Sequence, residues 1–302
     1  MRGAAIAVYS RTTNQRGYDM KDLAGRVAVV TGAASGMGLA FAHRFADEGM
    51  QVVLADIESE PLAMAEAALR AKGAKTLTVR TNVMSAEEIG RLADAAFATF
   101  GNVHILCNNA GVAGGTPVPA WEAPLTDWEW IFGVNFMGVL HGIRAFVPRM
   151  LANGDEGHIV NTASVAGLLT RANPYSVSKH SVVCLTEGLY KDFKALGTKL
   201  SASVLCPGWV NTQIADAERN RPEEFGAAVD TSSIPAEAQQ RNALVRQFLK
   251  DGFNPEEVAL QVLEAVREDR FYIIPAQPHI LDAVKQRFDD LLAGRNPTDG
   301  FL

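Results

Sequence analysis

The chain has 302 residues, 48% hydrophobic and 21% charged, which allows a sizeable core and is typical of a globular protein. Its net charge of −6 and its pI near 5.6 argue against a nucleic-acid surface or a polybasic membrane patch. Cys107, Cys184 and Cys206 lack metal-ligand spacing and have apolar neighbours. We therefore expect no metal site, and three buried thiols in a reducing, cytoplasmic compartment.

The first residues are apolar, but the run GAAIAVY is barely long enough for a signal sequence, and no small-residue cleavage site follows. Met20 opens MKDLAGRVAVVTG, a natural chain start. We expect residues 1–19 to be a disordered extension and residues 20–302 to form one domain. No apolar run approaches the roughly 20 residues of a membrane span.

Short apolar, β-branched runs alternate with helical patterns along the chain, as is typical of strands buried on both faces. The predicted strands are 26–32, 51–56, 76–80, 103–108, 158–164, 200–206 and 271–275. The predicted helices are about 36–49, 59–72, 85–100, 126–152, 174–197 and 255–268, with a helical tail over about 276–295. This alternation predicts an α/β fold, a doubly wound sheet of seven parallel strands with helices on both faces.

Segment 213–254 is too long for a simple connection and contains helix-forming runs such as EAQQRNALVRQFL. Long segments beside a ligand site often serve as lids. We expect a mobile helical lid over the substrate.

The first predicted strand ends in TGAASGMG, residues 31–38, with glycines at 32, 36 and 38. Glycine lets the backbone turn tightly and lie close to a pyrophosphate, while the next helix points its amides at the phosphates. The spacing is G-x-x-x-G-x-G rather than the commoner G-x-G-x-x-G, and a plain strand-to-helix turn would have the same glycines. The position after a first buried strand favours a dinucleotide site.

An acid follows the second strand at Asp56, 20 residues beyond Gly36. A carboxylate there accepts hydrogen bonds from ribose hydroxyls and repels a 2′-phosphate. No arginine or lysine lies among residues 33–35, and Ile57 follows the acid. The sequence therefore predicts NAD over NADP, with a solvated strand-end carboxylate as the alternative.

Two tyrosines each have a lysine one helical turn later: Tyr175 with Lys179, and Tyr190 with Lys194. Asn173 is a good N-cap, so Tyr175 opens a helix at the carboxyl end of the sheet, where ligands bind in open α/β folds. Tyr190 lies about 22 Å further along the same helix. The first pair is predicted to be the chemical one.

A free tyrosine ionises near pH 10. The charges of Lys179 and of oxidised nicotinamide both favour the phenolate and should lower the pKa of Tyr175. We expect Tyr175 to act as a general acid/base beside a bound dinucleotide.

Several motifs occur in the order of the short-chain dehydrogenase/reductase family, which the chain resembles over roughly residues 22–275. They are TGAASGMG, CNNAG (107–111), Asn135 in GVNFMG, Ser164 in NTASVAG, YSVSK (175–179) and PGWVNT (207–212). The resemblance implies a Rossmann-type fold, a nicotinamide-dependent oxidoreductase that interconverts a secondary alcohol and a ketone, and a homodimer or homotetramer.

The resemblance also implies roles for individual residues. Ser164 would hold the substrate oxygen, Lys179 the nicotinamide ribose, and Asn135 a water that links Lys179 to bulk solvent; the alternative for Asn135 is a helix asparagine bonding its own backbone. With Tyr175 these are the predicted catalytic residues. The predicted cofactor site comprises Gly32, Ser35, Gly36, Met37, Gly38, Asp56, Ile57, Asn82, Val83, Asn109, Ala110, Gly111, Tyr175, Lys179, Pro207, Gly208, Val210 and Thr212.

Two features depart from the family's pattern. Asn82 stands where the family usually has an aspartate that contacts adenine, and an asparagine can still hydrogen-bond there. The spacing of 11 residues from Ser164 to Tyr175 is slightly short, which leaves the shape of loop 165–174 open.

Loops after the fourth, fifth and sixth strands offer an apolar lining for a bulky hydrophobic alcohol or ketone, although several of these residues would also suit packing beneath loops. The predicted lining comprises Val112, Val118, Trp121, Leu168, Leu169, Trp209 and Ile214, with Arg171 the one cation near them in sequence. The tail, CNNAGV and FVPRM resemble a branch that includes dehydrogenases of lignin-type benzylic alcohols. Steroid or terpenoid alcohols are alternatives, as are a non-catalytic NAD-binding module and a sugar-nucleotide epimerase.

Overall fold

The computed structural model describes residues 20–169, 171–226 and 236–298; the predicted extension, residues 1–19, lies outside them. Seven parallel strands form one sheet in the order β3-β2-β1-β4-β5-β6-β7, which confirms the predicted fold class. The strands are β1 (Val27–Thr31), β2 (Gln51–Asp56), β3 (Thr76–Arg80), β4 (Ile105–Asn108), β5 (Gly157–Thr162), β6 (Leu200–Leu205) and β7 (Tyr272–Ile273).

The helices follow the predicted alternation. They are α1 (Gly36–Asp47), α2 (Ser59–Ala71), α3 (Ala86–Phe100), α4 (Leu125–Phe132), α5 (Gly138–Asn153), α6 (Pro174–Leu196), α7 (Ala236–Lys250), α8 (Pro255–Glu268) and α9 (Pro278–Leu292). The helix predicted over about 126–152 is α4 and α5 joined by a π-helical turn, Gly133–Met137.

The apolar runs of the strands are explained by burial on both faces of the sheet. Ala28 and Val30 of β1 face a core cluster that includes residues of α1 and α8, whereas Val27 and Val29 face a cluster with residues of α3 and α5. A strand covered on both sides has no solvent face, so it reads as a continuous hydrophobic run.

Strand order reverses at β1, which has β2 on one side and β4 on the other. In open α/β sheets the crevice beyond the carboxyl ends of the strands at this reversal is the usual ligand site. The turns after β1 and β4 therefore meet where the sequence places the glycine-rich motif and CNNAG.

Among the described residues, one helical stretch, Leu125–Asn153, is long and apolar enough to cross a membrane by length and composition alone. The expectation that no apolar run approaches that length is therefore wrong. Much of this stretch is buried, and Trp130, Phe146 and Met150 lie in the core. Packing inside the fold accounts for these apolar residues.

The cysteines depart from expectation at one position. Cys107 and Cys206 are buried, but Cys184 is exposed on the outer face of α6. The apolar neighbours of Cys184 in the sequence, Val182 and Val183, are buried because they lie on the face of the helix that packs against β6.

Segment 213–254 is partly helical, with 3-10 turns at Ile214–Asn220 and Glu223–Phe225 followed by α7; residues 227–235 lie outside the described part of the chain. The tail helix α9 covers its own molecule, since Ile280 is buried and Val284 packs against a cluster that includes residues of α6 and β6.

Candidate active site

A cleft of about 1210 Å³ opens beyond the carboxyl ends of the strands. Most of the predicted site residues line it, from the glycine-rich turn through the turn after β4 to the start of α6. Those lining it are Gly32, Ser35, Gly36, Met37, Asp56, Ile57, Asn82, Val83, Asn109, Ala110, Gly111, Val112, Val118, Ser164, Leu169, Tyr175, Lys179, Pro207, Gly208, Trp209, Val210, Thr212 and Ile214.

Two residues of the predicted substrate lining do not line this cleft. Trp121 is 84% exposed and its indole N–H donates to Glu122, because the loop that carries it points into solvent. Leu168 is buried in the core beside α6, and its carbonyl accepts from Arg287 of α9 at 2.7 Å. Neither prediction of a lining role holds.

The glycine-rich turn leaves room that a side chain would fill. Gly32 and Gly36 have φ values of +67° and +53°, which favour glycine. A Cβ on Gly32 would lie 2.9 Å from the Cα of Ala110, so the turns after β1 and β4 touch. Gly38 lies behind the cleft wall, where a Cβ would clash with the carbonyl oxygen of Gly32.

Asn109 joins these two turns. Its Nδ2 donates to the Thr31 carbonyl at 3.0 Å, and the Thr31 hydroxyl accepts from the backbone N–H groups of Asn109 and Ala110 at 3.0 and 3.1 Å. This is the arrangement expected of a clamp between β1 and β4.

Asp56 lies at the end of β2 with its carboxylate turned toward the glycine-rich turn. Its oxygens accept from the backbone N–H groups of Ala34 and Glu58, both at 3.0 Å. Burial raises the pKa of Asp56, and these hydrogen bonds oppose that rise.

A cation that the sequence did not predict lies beside this acid. Arg219, from the 3-10 turn after β6, donates to both oxygens of Glu58 at 3.0 and 2.8 Å, and Asp56 contributes to the raised pKa of Arg219. The absence of arginine and lysine at residues 33–35 did not reveal this cation, because the chain brings Arg219 back from far along the sequence. The Glu58 carboxylate engages that guanidinium.

Asn82 uses its side-chain oxygen locally, accepting from the backbone N–H of Met84 at 3.0 Å. Its own backbone N–H donates to Glu88 at 2.8 Å, which fixes the turn after β3. The Nδ2 amide is thus the group of Asn82 that remains to contact a ligand in the cleft.

The first tyrosine pair is at the rim of the cleft. The Asn173 side chain caps α6 by accepting from Ser176 N–H at 2.8 Å, which places Tyr175 in the first turn. The Lys179 Nζ lies 5.9 Å from the centroid of the Tyr175 ring and donates to the Thr162 carbonyl at 2.9 Å.

The second pair is also adjacent, with the Lys194 Nζ 5.0 Å from the Tyr190 ring centroid. Lys194, however, pairs with Asp269 at 2.9 Å, and Tyr190 packs against Phe271 at the other end of α6. Neither residue lines the cleft.

The surroundings of Tyr175 and Lys179 shift the pKa values of both residues in directions opposite to those that an ion pair between them would produce. Burial raises the pKa of Tyr175, and a hydrogen bond with the Ser164 side chain lowers it by less. Burial also lowers the pKa of Lys179 to about 8. The expected lowering of the Tyr175 pKa by Lys179 is not seen in the protein alone, where burial is the larger influence and the Ser164 hydrogen bond the smaller one.

Asn135 lies in the π-helical turn and is completely buried. Its Oδ1 accepts from Val112 N–H at 2.8 Å, while its Nδ2 donates to the Val112 carbonyl at 3.0 Å and to Ser178 at 3.2 Å. It therefore holds another segment of the chain rather than its own helix. A Cβ on Gly111 would lie 3.2 Å from the Lys179 Nζ and 3.3 Å from the Asn135 Oδ1, so these groups share one corner of the cleft wall.

A buried ion pair beneath segment 213–254 was missed from the sequence. Arg221 pairs with Asp127 of α4 at 2.8 Å, with side-chain exposures of 4% and 2%, and its guanidinium lies 5.1 Å from the Trp130 ring centroid. Asp127 also accepts from Thr116 N–H at 2.7 Å, and Glu218 accepts from Gly115 N–H at 3.1 Å. No local pattern reveals such partners, since α4 and Arg221 are far apart in sequence.

The family model for the short chain dehydrogenase matches residues 26–223. The chain belongs to the short-chain dehydrogenase family.

Relatives of this short-chain dehydrogenase align with it over most of their length. It is 37% identical over 268 residues to a 1-deoxy-11-beta-hydroxypentalenate dehydrogenase of Streptomyces exfoliatus, covering 88% of each chain. It is 32% identical to a C alpha-dehydrogenase of Sphingobium sp. strain SYK-6, covering 93% of this chain and 90% of the relative.

A solved structure of a short chain dehydrogenase/reductase from Burkholderia phymatum, in complex with NAD, matches with a TM-score of 0.87 and 45% identity. The match covers 94% of this chain and all of the other. This short-chain dehydrogenase is accordingly an oxidoreductase that acts on hydroxyl or ketone substrates, and its predicted resemblance is confirmed.

Proposed function

We propose that this short-chain dehydrogenase uses NAD to interconvert a secondary alcohol and a ketone on a bulky hydrophobic or aromatic substrate. The observation that carries the proposal is the meeting of Tyr175, Ser164 and Lys179 in one cleft that the glycine-rich turn also lines. An acid/base, a hydroxyl donor and a buried cation are then available beside a dinucleotide.

The cleft fits such a cofactor. The space that a Cβ on Gly32 or Gly36 would fill is kept open, and α1 begins at Gly36 with its N–H groups toward the turn. When bound, nicotinamide accepts or supplies the hydride at the carbinol carbon. Val210 and Thr212, from the segment after β6, would hold its amide.

The proton is handled by the chain's own residues. In oxidation the Tyr175 oxygen takes the alcohol proton, and in reduction it returns it. The Ser164 hydroxyl donates to the substrate oxygen and stabilises its charge. Lys179 holds the nicotinamide ribose, and Asn135 fixes the wall beside it and holds the water that relays protons to solvent.

Charge explains how a buried phenol with a raised pKa can work. The protein alone disfavours the phenolate, so the positive charge of the oxidised cofactor must supply the missing stabilisation. Tyr175 would then ionise mainly in the cofactor complex, where the base is needed.

NAD is proposed over NADP because Asp56 lies where it can accept from ribose hydroxyls and repel a 2′-phosphate. Arg219, the nearby cation, is already engaged by Glu58 at two oxygens. The NAD complex of the Burkholderia phymatum protein supports the same choice.

The substrate floor is apolar, which supports a bulky hydrophobic alcohol or ketone. It comprises Val112, Val118, Leu169, Trp209 and Ile214. Two relatives are a 1-deoxy-11-beta-hydroxypentalenate dehydrogenase and a C alpha-dehydrogenase. Terpenoid-type and lignin-type alcohols are therefore both candidates, and steroid alcohols remain an alternative.

Three further features belong to the proposal. Segment 213–254 acts as a lid, since residues of both its described parts, among them Ile214 and Leu249, line the cleft. The protein assembles as a homodimer or homotetramer, for which the outer face of α9, with Phe288 45% and Leu292 82% exposed, offers apolar surface. The free thiols favour a reducing, cytoplasmic location.

The test is absorbance at 340 nm with NAD or NADP and a panel of secondary alcohols that covers benzylic, terpenoid and steroid types. We expect NADH formation with at least one bulky alcohol and a higher kcat/KM with NAD than with NADP. A protein that binds NAD but oxidises none of the panel, nor reduces the matching ketones, would instead be a binding module.

A further inference from the structure

The segment between β7 and α9 runs along the loop after β6, residues 206–212. The Cys206 N–H donates to the Ile273 carbonyl at 2.8 Å, and the Gly208 N–H donates to the Pro275 carbonyl at 2.9 Å. Backbone pairing between these two parts of the chain therefore continues past Ile273, the last residue of β7.

The side chain of Gln277 takes the next position in this pairing. Its Oε1 accepts from the Trp209 N–H at 3.2 Å, and its Nε2 donates to the Trp209 carbonyl at 3.1 Å. One amide thus binds both polar groups of a single backbone residue, as two paired residues of an antiparallel ladder do. The approach is close, since a Cβ on Gly208 would lie 2.6 Å from the Gln277 Oε1.

Gln277 is the N-cap residue of α9, yet its side chain makes no cap hydrogen bond to that helix. Serine, threonine, aspartate and asparagine are the residues preferred at an N-cap, because their side-chain oxygens reach the free N–H groups of the first turn. Glutamine is not among them, and the Gln277 amide is committed to Trp209 instead. Helix formation therefore does not explain the glutamine at this position.

The loop that Gln277 holds also lines the cleft. Val210 and Thr212 are both lining residues, and a Cβ on Gly36 would lie 3.1 Å from the Thr212 Cγ2. The loop therefore lies directly against the glycine-rich turn. Because Trp209 immediately precedes Val210, a shift of the Trp209 backbone would move these cleft residues.

A second anchor of the loop comes from the segment after α7. The Phe253 N–H donates to the Trp209 carbonyl, and the Asn211 N–H donates to the Phe253 carbonyl, both at 2.9 Å. These bonds do not involve the Trp209 N–H, which donates to Gln277. Loss of the Gln277 amide would remove the acceptor of this donor, and an unpaired backbone donor favours a shift of the chain that restores a partner.

We propose that Gln277 is a positioning residue for the nicotinamide end of the cofactor site. Its amide fixes the loop at Trp209, and thereby the positions of Val210 and Thr212, which would hold the nicotinamide amide. Gln277 does not itself line the cleft, so it acts through the backbone of Trp209. The inference rests on the proposed function for the presence of a nicotinamide cofactor.

The test compares NAD with ADP-ribose, which has the adenosine, the pyrophosphate and the second ribose of NAD but lacks the nicotinamide. Calorimetric titration gives the Kd of each ligand for the unsubstituted protein, Gln277→Met and Gln277→Glu. Methionine has a similar length and forms neither hydrogen bond, whereas glutamate places a carboxylate oxygen against the Trp209 carbonyl. We expect both variants to bind NAD about five- to tenfold more weakly, the effect of a lost neutral hydrogen bond, and ADP-ribose within about twofold of the unsubstituted protein.

Gln286→Met is the matched control, because Gln286 is exposed on the same helix, donates to Asp290 and does not line the cleft. It should leave both Kd values unchanged. Unchanged NAD binding in both Gln277 variants would overturn the proposal. An equal loss of NAD and ADP-ribose binding would also overturn it, because that result indicates a general disturbance of the fold.

The positioning role and the proposed reaction can fail separately. If no alcohol of the panel yields NADH, the proposed reaction fails, while the ratio of the two Kd values still judges Gln277. If NADH forms but that ratio is the same in the Gln277 variants as in the unsubstituted protein, the positioning role fails and the dehydrogenase stands. Absence of NAD binding to the unsubstituted protein would overturn both.

Discussion

Lys179 is 3% exposed, and burial lowers its pKa from 10.5 to about 8. Between those two values the unfolded chain binds more protons than the folded one, so this lysine destabilises the fold fully below about pH 8 and not at all above about pH 10.5. A buried cation kept at such a cost is typical of a functional site.

Replacing Lys179 by methionine should therefore stabilise the protein at pH 7, by about 2 kcal/mol after the loss of the hydrogen bond to Thr162 is subtracted. The gain should shrink as the pH rises from 8 toward 10.5. Urea unfolding at pH 7 and pH 10 measures both values, with the exposed Lys191→Met on the same helix as the control. A gain that does not change with pH would contradict the burial account.

Glu58 engages Arg219 beside Asp56, and this pairing governs the charge available to a cofactor phosphate. Glu58→Gln should free part of the Arg219 charge and raise the NADP/NAD ratio of kcat/KM several-fold, by weakening a charge-assisted pair of hydrogen bonds worth about 1 kcal/mol. The exposed Glu60→Gln on α2 should leave the ratio unchanged. A ratio that falls or stays constant in Glu58→Gln would show that Arg219 does not reach the cofactor.

At the scale of single residues, the sequence correctly predicted the positions that depend on local motifs. Tyr175, Asp56 and the glycines all follow from position on a strand or helix end. Arg219 and Arg221 were missed because their partners, Glu58 and Asp127, are distant in sequence. Trp121 was misplaced because an apolar side chain in a loop can face solvent. The sign of the Tyr175 pKa shift failed for a related reason, since burial depends on the whole fold.

Among the elements, the glycine-rich turn and α1 pack without room for a side chain at Gly38. A Cβ there would clash with the Gly32 carbonyl and lie 2.7 Å from the Asn109 Nδ2, disturbing the clamp between β1 and β4. Gly38→Ala should weaken NAD binding at least about tenfold and lower stability by about 1 to 3 kcal/mol.

Gly90 of α3 gives the matched control, because a Cβ there meets no atom within 4 Å. Gly90→Ala should stabilise the protein by about 0.5 to 1 kcal/mol through higher helix propensity, with NAD binding unaltered. Thermal unfolding and NAD titration of the two variants decide this; equal effects would mean that the turn tolerates a side chain.

The Asp127–Arg221 pair fixes segment 213–226 to α4. Removing one partner leaves a buried charge, so Asp127→Asn should cost about 3 to 5 kcal/mol, whereas the double change Asp127→Leu with Arg221→Met should recover most of it. Chemical denaturation measures both. A loss below about 1 kcal/mol, the range of a surface pair such as Arg91–Glu87, would show that solvent reaches the pair.

The molecule as a whole was predictable to the level of its sheet. Short apolar runs alternate with helical patterns along the chain, as is typical of a parallel α/β sheet. The seven observed strands differ from the predicted ones by a few residues at their ends. The break of the long helix into α4, a π-turn and α5 was not predictable, because it depends on how Asn135 bonds Val112 from another segment. The sequence likewise could not show that the apolar stretch Leu125–Asn153 is packed in the core, because that depends on the folded structure.

The central claim is that Tyr175, and not another tyrosine such as Tyr190, exchanges the proton with the substrate. The most direct measurement compares Tyr175→Phe with Tyr190→Phe in kcat for NADH formation and in Kd for NAD. We expect Tyr175→Phe to lose at least about 10² to 10⁴ in kcat with NAD affinity within about twofold, and Tyr190→Phe to keep both values. Substantial turnover in Tyr175→Phe would contradict the account.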